Sequence, residues 1–177
     1  AMFVDDATFD ICTGGATPGP TPTPPPPTPT PPPGTCTEAF LNNSFETDDS
    51  WGIPVTVFSA GYSTDFANTG VRSMRNGVPY YVMDRYSYSD AYQLASMPLT
   101  VNTATVGMWI YPITGETTSV GTPGRDVQYV LVLDSSGNWI DTLMWQRKNY
   151  QAWTYYTFDV SKWIGTTIRL QFGVYNN

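Results

Sequence analysis

Ile168, Leu170, Phe172 and Val174 alternate with Arg169, Gln171 and Gly173 near the end of the chain, the period of a half-buried strand. At the other end Phe3, Ala7, Phe9 and Ile11 share one parity with Asp5, which predicts a strand over 2–11 with that set facing a core. Read in a circle, Leu170–Asn177 followed by Ala1–Ile11 forms two strands around an Asn-rich turn. The reading that follows is a module whose closing strand is displaced to the N-terminus and pairs with 167–174. Further strands are predicted at 38–42, 55–60, 71–75, 79–83, 91–96, 104–111, 127–134, 138–145 and 152–159. The breakers between them include Asn76-Gly77 and Gly121-Thr-Pro-Gly124, and Asp134-Ser-Ser-Gly-Asn138 carries a hairpin signal. Helical periodicity lasts no more than one turn, at Ser161–Gly165 with Ser161 as its cap. Many short strands at this spacing predict an all-β, two-sheet β-sandwich.

Residues 13–35 interrupt the pattern. They hold most of the sixteen prolines, interleaved with Thr21, Thr23, Thr28 and Thr30. A tract so poor in backbone donors favours polyproline II, at roughly 3.1 Å per residue. It reads as an interdomain linker or as a stalk O-glycosylated at those threonines. The chain thus divides into a closing or donor strand (1–12), a Pro/Thr-rich linker (13–35) and a sandwich (36–177). Cys12 and Cys36 are the only cysteines and flank the tract; they read as one disulfide, with two free thiols as the alternative. A bridge there makes the tract bulge out as a loop.

Composition then narrows the function. Outside the tract about 140 residues remain, enough for one core. The net charge of -7 leaves no basic surface for nucleic acid, and no apolar run approaches the roughly 20 residues of a membrane span. No signal peptide is legible, so any export signal is expected outside this sequence. With no His, imidazole acid/base chemistry and Cys-His nucleophiles are excluded. Asp48 and Asp49 form an acidic pair with no second acid placed opposite, so no enzyme is expected. The sequon Asn42-Asn-Ser44 matters only in a glycosylating host.

Four segments carry a resemblance. Glu38-Ala-Phe-Leu-Asn-Asn-Ser-Phe-Glu46 followed by Trp51 resembles the opening strand of carbohydrate-binding-module-like (galactose-binding-like) jelly rolls. Leu131–Asn138 resembles their central hairpin and Thr157–Phe172 their penultimate turn and strand. Phe3-Val-Asp-Asp-Ala-Thr-Phe9 resembles their closing strand, here moved ahead of a Cys-flanked Pro/Thr tract like those joining tandem modules in secreted bacterial proteins. The resemblance implies a structural Ca²⁺, which falls on Asp5, Glu46, the carbonyl of Ser44 and the region Thr69 to Arg72. Hard oxygen ligands suit that ion, and the alternative is a metal-free surface Glu and strand-end Asp.

A sandwich lacking its last strand exposes an apolar groove and an unpaired edge. Residues 2–11 fill it in their own module, in a neighbouring subunit, or in a tandem array, the last two giving an open head-to-tail fibre. The expected function is a non-enzymatic repeat or subunit of an extracellular filament or stalk, on the cell surface or secreted, with copies of itself as partners. The alternative is a carbohydrate-binding module for polysaccharide. Tyr86, Tyr88, Trp145 and Tyr150, with Tyr80 and Tyr81, are its candidate sugar-stacking residues, although most aromatics in such domains simply pack on sheet faces.

Overall fold

The computed structural model describes residues 1–14, 34–78, 85–115 and 126–177. Thr21, Thr23, Thr28, Thr30, Tyr80, Tyr81 and the strand expected at 79–83 lie outside the described residues. Among the described residues ten strands are formed in chain order: β1 (Met2–Thr13), β2 (Thr35–Glu38), β3 (Gly61–Ser63), β4 (Ser73–Asn76), β5 (Ser87–Ser96), β6 (Thr103–Pro112), β7 (Val127–Asp134), β8 (Trp139–Gln146), β9 (Thr154–Asp159) and β10 (Thr167–Asn176). They make two antiparallel sheets, one in the order β3-β4-β1-β6-β9 with β2 added beside β1, the other β5-β10-β7-β8. The fold is an all-β sandwich.

The core lies between the sheets. One supplies Met2, Val4, Ala7, Phe9, Met74, Ala104, Val106, Met108 and Ile110; the other supplies Ala91, Ala95, Val130, Val132, Ile168, Leu170, Phe172 and Val174. Each large side chain buried this way contributes about 1.5–3 kcal/mol. The opening segment crosses the gap with aromatic rings. Phe9 meets Phe40 at 5.3 Å, Phe40 meets Trp51 at 5.2 Å, and Trp51 meets Phe172 at 5.3 Å.

The displaced strand departs from expectation in two ways. First, β1 does not pair with 167–174. Met2–Val4 pair with β4, Asp10–Thr13 pair with β2, and almost the whole strand pairs with β6. β10 instead lies between β5 and β7 in the opposite sheet. The hairpin expected between the two chain ends is therefore not formed, because in a sandwich consecutive strands can belong to opposite sheets. Second, the inward set is Met2, Val4, Ala7, Phe9 and, half-buried, Ile11. Phe3 points the other way, onto Phe66 at 4.9 Å. A bulge explains the change of parity: Asp5 pairs with Trp109 and Thr8 with Gly107, so Asp6 and Ala7 together face one residue of β6. Asp6 takes φ 45°, a left-handed conformation that Asp tolerates better than most residues.

Two other predicted strands are not formed. Through 38–42 side chains replace a ladder: Glu38 Oε1 accepts the Phe9 and Phe40 N–H, while Gln93 accepts from Leu41 N–H and donates to Leu41 O. Residues 55–60 make a turn tied by Ser59 and Ser87 hydroxyls, and the short β3 follows. Ser161 begins the single 3-10 turn instead of capping it; its hydroxyl accepts from Ala104 N–H.

Cys12 and Cys36 are bonded and face each other across the β1–β2 ladder with Cα atoms 4.0 Å apart. The Pro/Thr tract therefore leaves from and returns to one end of the six-stranded sheet.

Candidate functional site

The outer face of the four-stranded sheet is set by the strict alternation of β10. With Ile168, Leu170, Phe172 and Val174 inward, Arg169, Gln171, Gly173 and Tyr175 project outward, flanked by Tyr88, Asp90 and Tyr92 of β5 and by Tyr129, Leu131 and Leu133 of β7. Gly173 opens the middle of this row. A Cβ there would collide with the Asp90 carboxylate and lie 2.7 Å from Ser89 O and 3.0 Å from the Tyr129 hydroxyl. Without it, Asp90 and Tyr129 meet across β10. The Tyr129 hydroxyl donates to Asp90 Oδ1, Gln171 Nε2 donates to Asp90 Oδ2 at 3.1 Å, and Arg169 Nη2 donates to Gln171 Oε1 at 2.8 Å. The Arg169 guanidinium lies 3.3 Å from the Tyr92 ring centre. Burial pushes the Asp90 carboxyl up to about 6 despite the opposing Tyr129 hydrogen bond and Arg169 charge, and burial beside Asp90 raises Tyr129 as well.

An aromatic platform borders this network. Tyr129 stacks on Trp145 at 5.7 Å with 20° between the planes, and Trp145 stacks on Trp139 at 5.7 Å and 16°. Trp139 and Trp145 remain 57% and 53% exposed, so the platform is open to solvent. On the other side Tyr86, Tyr88 and Tyr175 pack edge to face or tilted, with centroids 5.0–6.0 Å apart. Flat rings beside fixed donors and acceptors are suited to a polar, flat ligand such as a sugar ring. Tyr86, Tyr88 and Trp145 are thus gathered on one face. Tyr150 lies elsewhere, in the β8–β9 connection with Lys148 5.0 Å above its ring. Among further residues of this face, the β10 alternation marks Arg169 and Gln171 as outward, whereas Asp90, Tyr129 and Trp139 lie on β5, β7 and β8 and join them only through the sheet pairing.

A second cluster gathers at the bulge of β1. Phe66 stacks on Tyr111 and covers Phe3, so the loop after β3 folds over the outer face of β1 and buries Asp5. Asp5 Oδ2 accepts the Asn68 and Thr69 N–H at 2.7 and 3.2 Å, and Oδ1 accepts Asp6 N–H at 2.8 Å. Asp6 accepts from the Asn68 amide and the Thr69 hydroxyl. Burial outweighs the amide donors and pushes Asp5 up to about 6. Glu46 Oε1 accepts the Val71 and Arg72 N–H, Arg72 donates to Glu46 O and pairs with Asp48, and a side chain at Gly70 (φ 61°) would strike the Glu46 carboxylate.

The expected calcium ligands Asp5, Ser44, Glu46, Thr69 and Arg72 therefore come from segments that meet at one corner. There Asp5 and Glu46 Oε1 accept loop amide N–H groups, and the Arg72 guanidinium stands beside Glu46. No group of three or more His, Cys, Asp or Glu suited to a metal occurs among the described residues. The sequon residue Asn42 is also engaged, its side chain bonding Thr47 and Asp49.

No family model, curated protein or solved structure matches the chain. Among the described residues no helix is long and apolar enough to cross a membrane.

Proposed function

We propose that the chain is a non-enzymatic structural unit of an extracellular filament or stalk, a carbohydrate-binding-module-like sandwich joined head to tail to copies of itself through β1. The position of β1 carries this reading. It is a twelve-residue strand in the middle of a sheet, with Met2, Val4, Ala7 and Phe9 wholly buried, yet it is tethered to its sandwich only through the 14–34 segment and the disulfide. Its partners β4 and β6 are remote in sequence. The same groove, lined by the same contacts, accepts β1 from its own chain or from a neighbour. Supply by a neighbour is a heterologous contact that does not close, and so makes a fibre. A tandem array uses the same junction. The disulfide supports an oxidising, extracellular setting.

Electron microscopy of the purified native material tests the reading, with filaments expected. Intact mass separates 19.6 kDa subunits from a tandem array. Removal of residues 1–13 should abolish both filaments and cooperative unfolding, and a synthetic peptide of that sequence should restore the folded unit. Monodisperse single modules together with a stable deletion variant would reject the proposal.

The stacked Tyr129–Trp145–Trp139 platform favours a second reading, polysaccharide binding on the outer face of the four-stranded sheet. Retention on insoluble polysaccharide, lost on Trp145→Ala without loss of folding, supports it; equal elution of parent and variant rejects it.

A further inference from the structure

The geometry points to a buried binding site for a single water molecule between the two sheets, held by Asn76 of β4 and Ser89 of β5 at the end of the sandwich where β10 finishes. It lies in the interior and is distinct from the outer face of the four-stranded sheet.

The core changes character along its length. Paired residues of an antiparallel sheet share a face, so the rows follow from the register. At one end Ile168 lies beside Ala95 and Ile11 beside Ala104, all on the core side. At the other end Val174 lies between Ser89 and Gln128, and Asn176 lies beside Ser87; in the opposite sheet Met2 lies between Asn76 and Pro112. Val174 and Met2 belong to the core, so their polar neighbours point inward with them. Asn76, Ser87, Ser89, Gln128 and Asn176 are all at most 2% exposed. One end of the interior is therefore apolar and the other carries amides and hydroxyls.

Most of these groups are spent on tying the layers together. Asn76 Nδ2 donates to Ser89 O at 3.2 Å, Asn176 Oδ1 accepts Val78 N–H at 3.1 Å, and Gln128 Nε2 donates to Lys148 O at 2.9 Å and to Ala1 O at 3.5 Å. The Ser87 hydroxyl accepts Phe58 N–H at 2.9 Å. Two atoms are left over, Asn76 Oδ1 and Ser89 Oγ, both shut off from solvent and without a hydrogen-bond partner. They belong to residues that are already bonded to each other. Exchanging the oxygen and nitrogen of the Asn76 amide gives no relief, because it sets a carbonyl against the Ser89 carbonyl.

Buried polar groups are satisfied by protein or by ordered water in nearly every native structure. Asn76 Oδ1 requires a donor, and the Ser89 hydroxyl can donate or accept; a water serves both at once. The neighbourhood is closely packed, since even a single added carbon at Gly77 would lie 3.0 Å from Ala1 and from Val174. That packing favours the smallest ligand able to make these bonds. The water joins β4 to β5 alongside the direct amide bond, and so fastens one sheet to the other at its polar end.

Magnetic relaxation dispersion of water ¹⁷O counts internal waters that exchange slowly with bulk. The parent chain is expected to exceed Ser89→Val by one such water, because the added methyls remove the hydroxyl and fill its surroundings. Equal counts in the two folded proteins overturn the site. A crystal structure of the parent needs no variant to fold. Ordered water within hydrogen-bond distance of both Asn76 Oδ1 and Ser89 Oγ is the expected result, and a map in which no water bridges these two atoms overturns it.

Discussion

β1 and β10 are the long central strands of their respective sheets, and they behave differently. β10 keeps one parity from Ile168 to Val174, so one row fills the core and the other is left to form a polar and aromatic face. β1 changes parity at Asp5–Ala7, and both of its rows are covered, one by the core and the other by the loop carrying Phe66, Asn68 and Thr69. An unbroken strand has a side free for recognition. A bulged strand gripped on two sides is built to be held.

The largest test of this contrast removes the central ring from each strand. Phe172→Ala and Phe9→Ala should each cost about 3–5 kcal/mol in denaturant unfolding. Phe172 touches both Phe45 and Trp51 whereas Phe9 touches Phe40, so the loss at 172 should be the greater. A greater loss at Phe9 would show that β1, not the interlocked aromatic cluster, holds the sandwich together.

The next test acts on the open row. Gly173→Ala should cost about 1–3 kcal/mol, since the added methyl forces Asp90 and Tyr129 apart across β10. It should also weaken any polysaccharide retention by disturbing Tyr129 beneath Trp145. Full stability in this variant would mean that the Asp90–Tyr129 pair is incidental to the face.

The smallest effect is expected with pH, and both sheets share it. Asp5 and Asp90 are held near 6, above the ordinary carboxylate value, so the folded state takes up their protons more readily than the unfolded chain. Their contribution to stability is complete below about 4 and is lost as pH rises through about 6. The melting temperature should therefore rise on acidification from pH 7 to pH 5. Asp5→Asn and Asp90→Asn should each flatten part of that slope, which a series of calorimetric melts would measure. An unchanged slope in Asp5→Asn would mean that the three amide donors, not burial, govern its proton.

What could be read from the sequence follows the same division. Val127–Asp134 was legible as a short apolar run and the strand around Ile168–Val174 as an unbroken alternation. The inward set of β1 was not, since a bulge inserts one residue without changing composition, and Phe3 and Val4 are both apolar. Asp5, expected on the core face with Phe3, lies on the opposite face, where its partners are the Asn68 and Thr69 amides of a loop far along the chain. The outer face of the four-stranded sheet was half legible: Tyr86, Tyr88 and Trp145 stand out as aromatics, whereas Asp90 and Gln171 gain meaning only when β5, β10 and β7 are laid side by side. The partner of β1 was assigned to the wrong sheet because chain order says nothing of which layer a strand joins.

The bulge has a further consequence for the fidelity of strand register. Because Asp5 and Asp6 lock onto Asn68 and Thr69 at one point of the groove, a strand sliding by a residue loses those bonds and turns Met2 and Val4 away from the core together. A passing strand of plain alternation can match the groove on only one side of the irregularity. The kink thus acts as a password: it admits its own sequence in one alignment and polarity, and a strand of plain alternation would seat poorly.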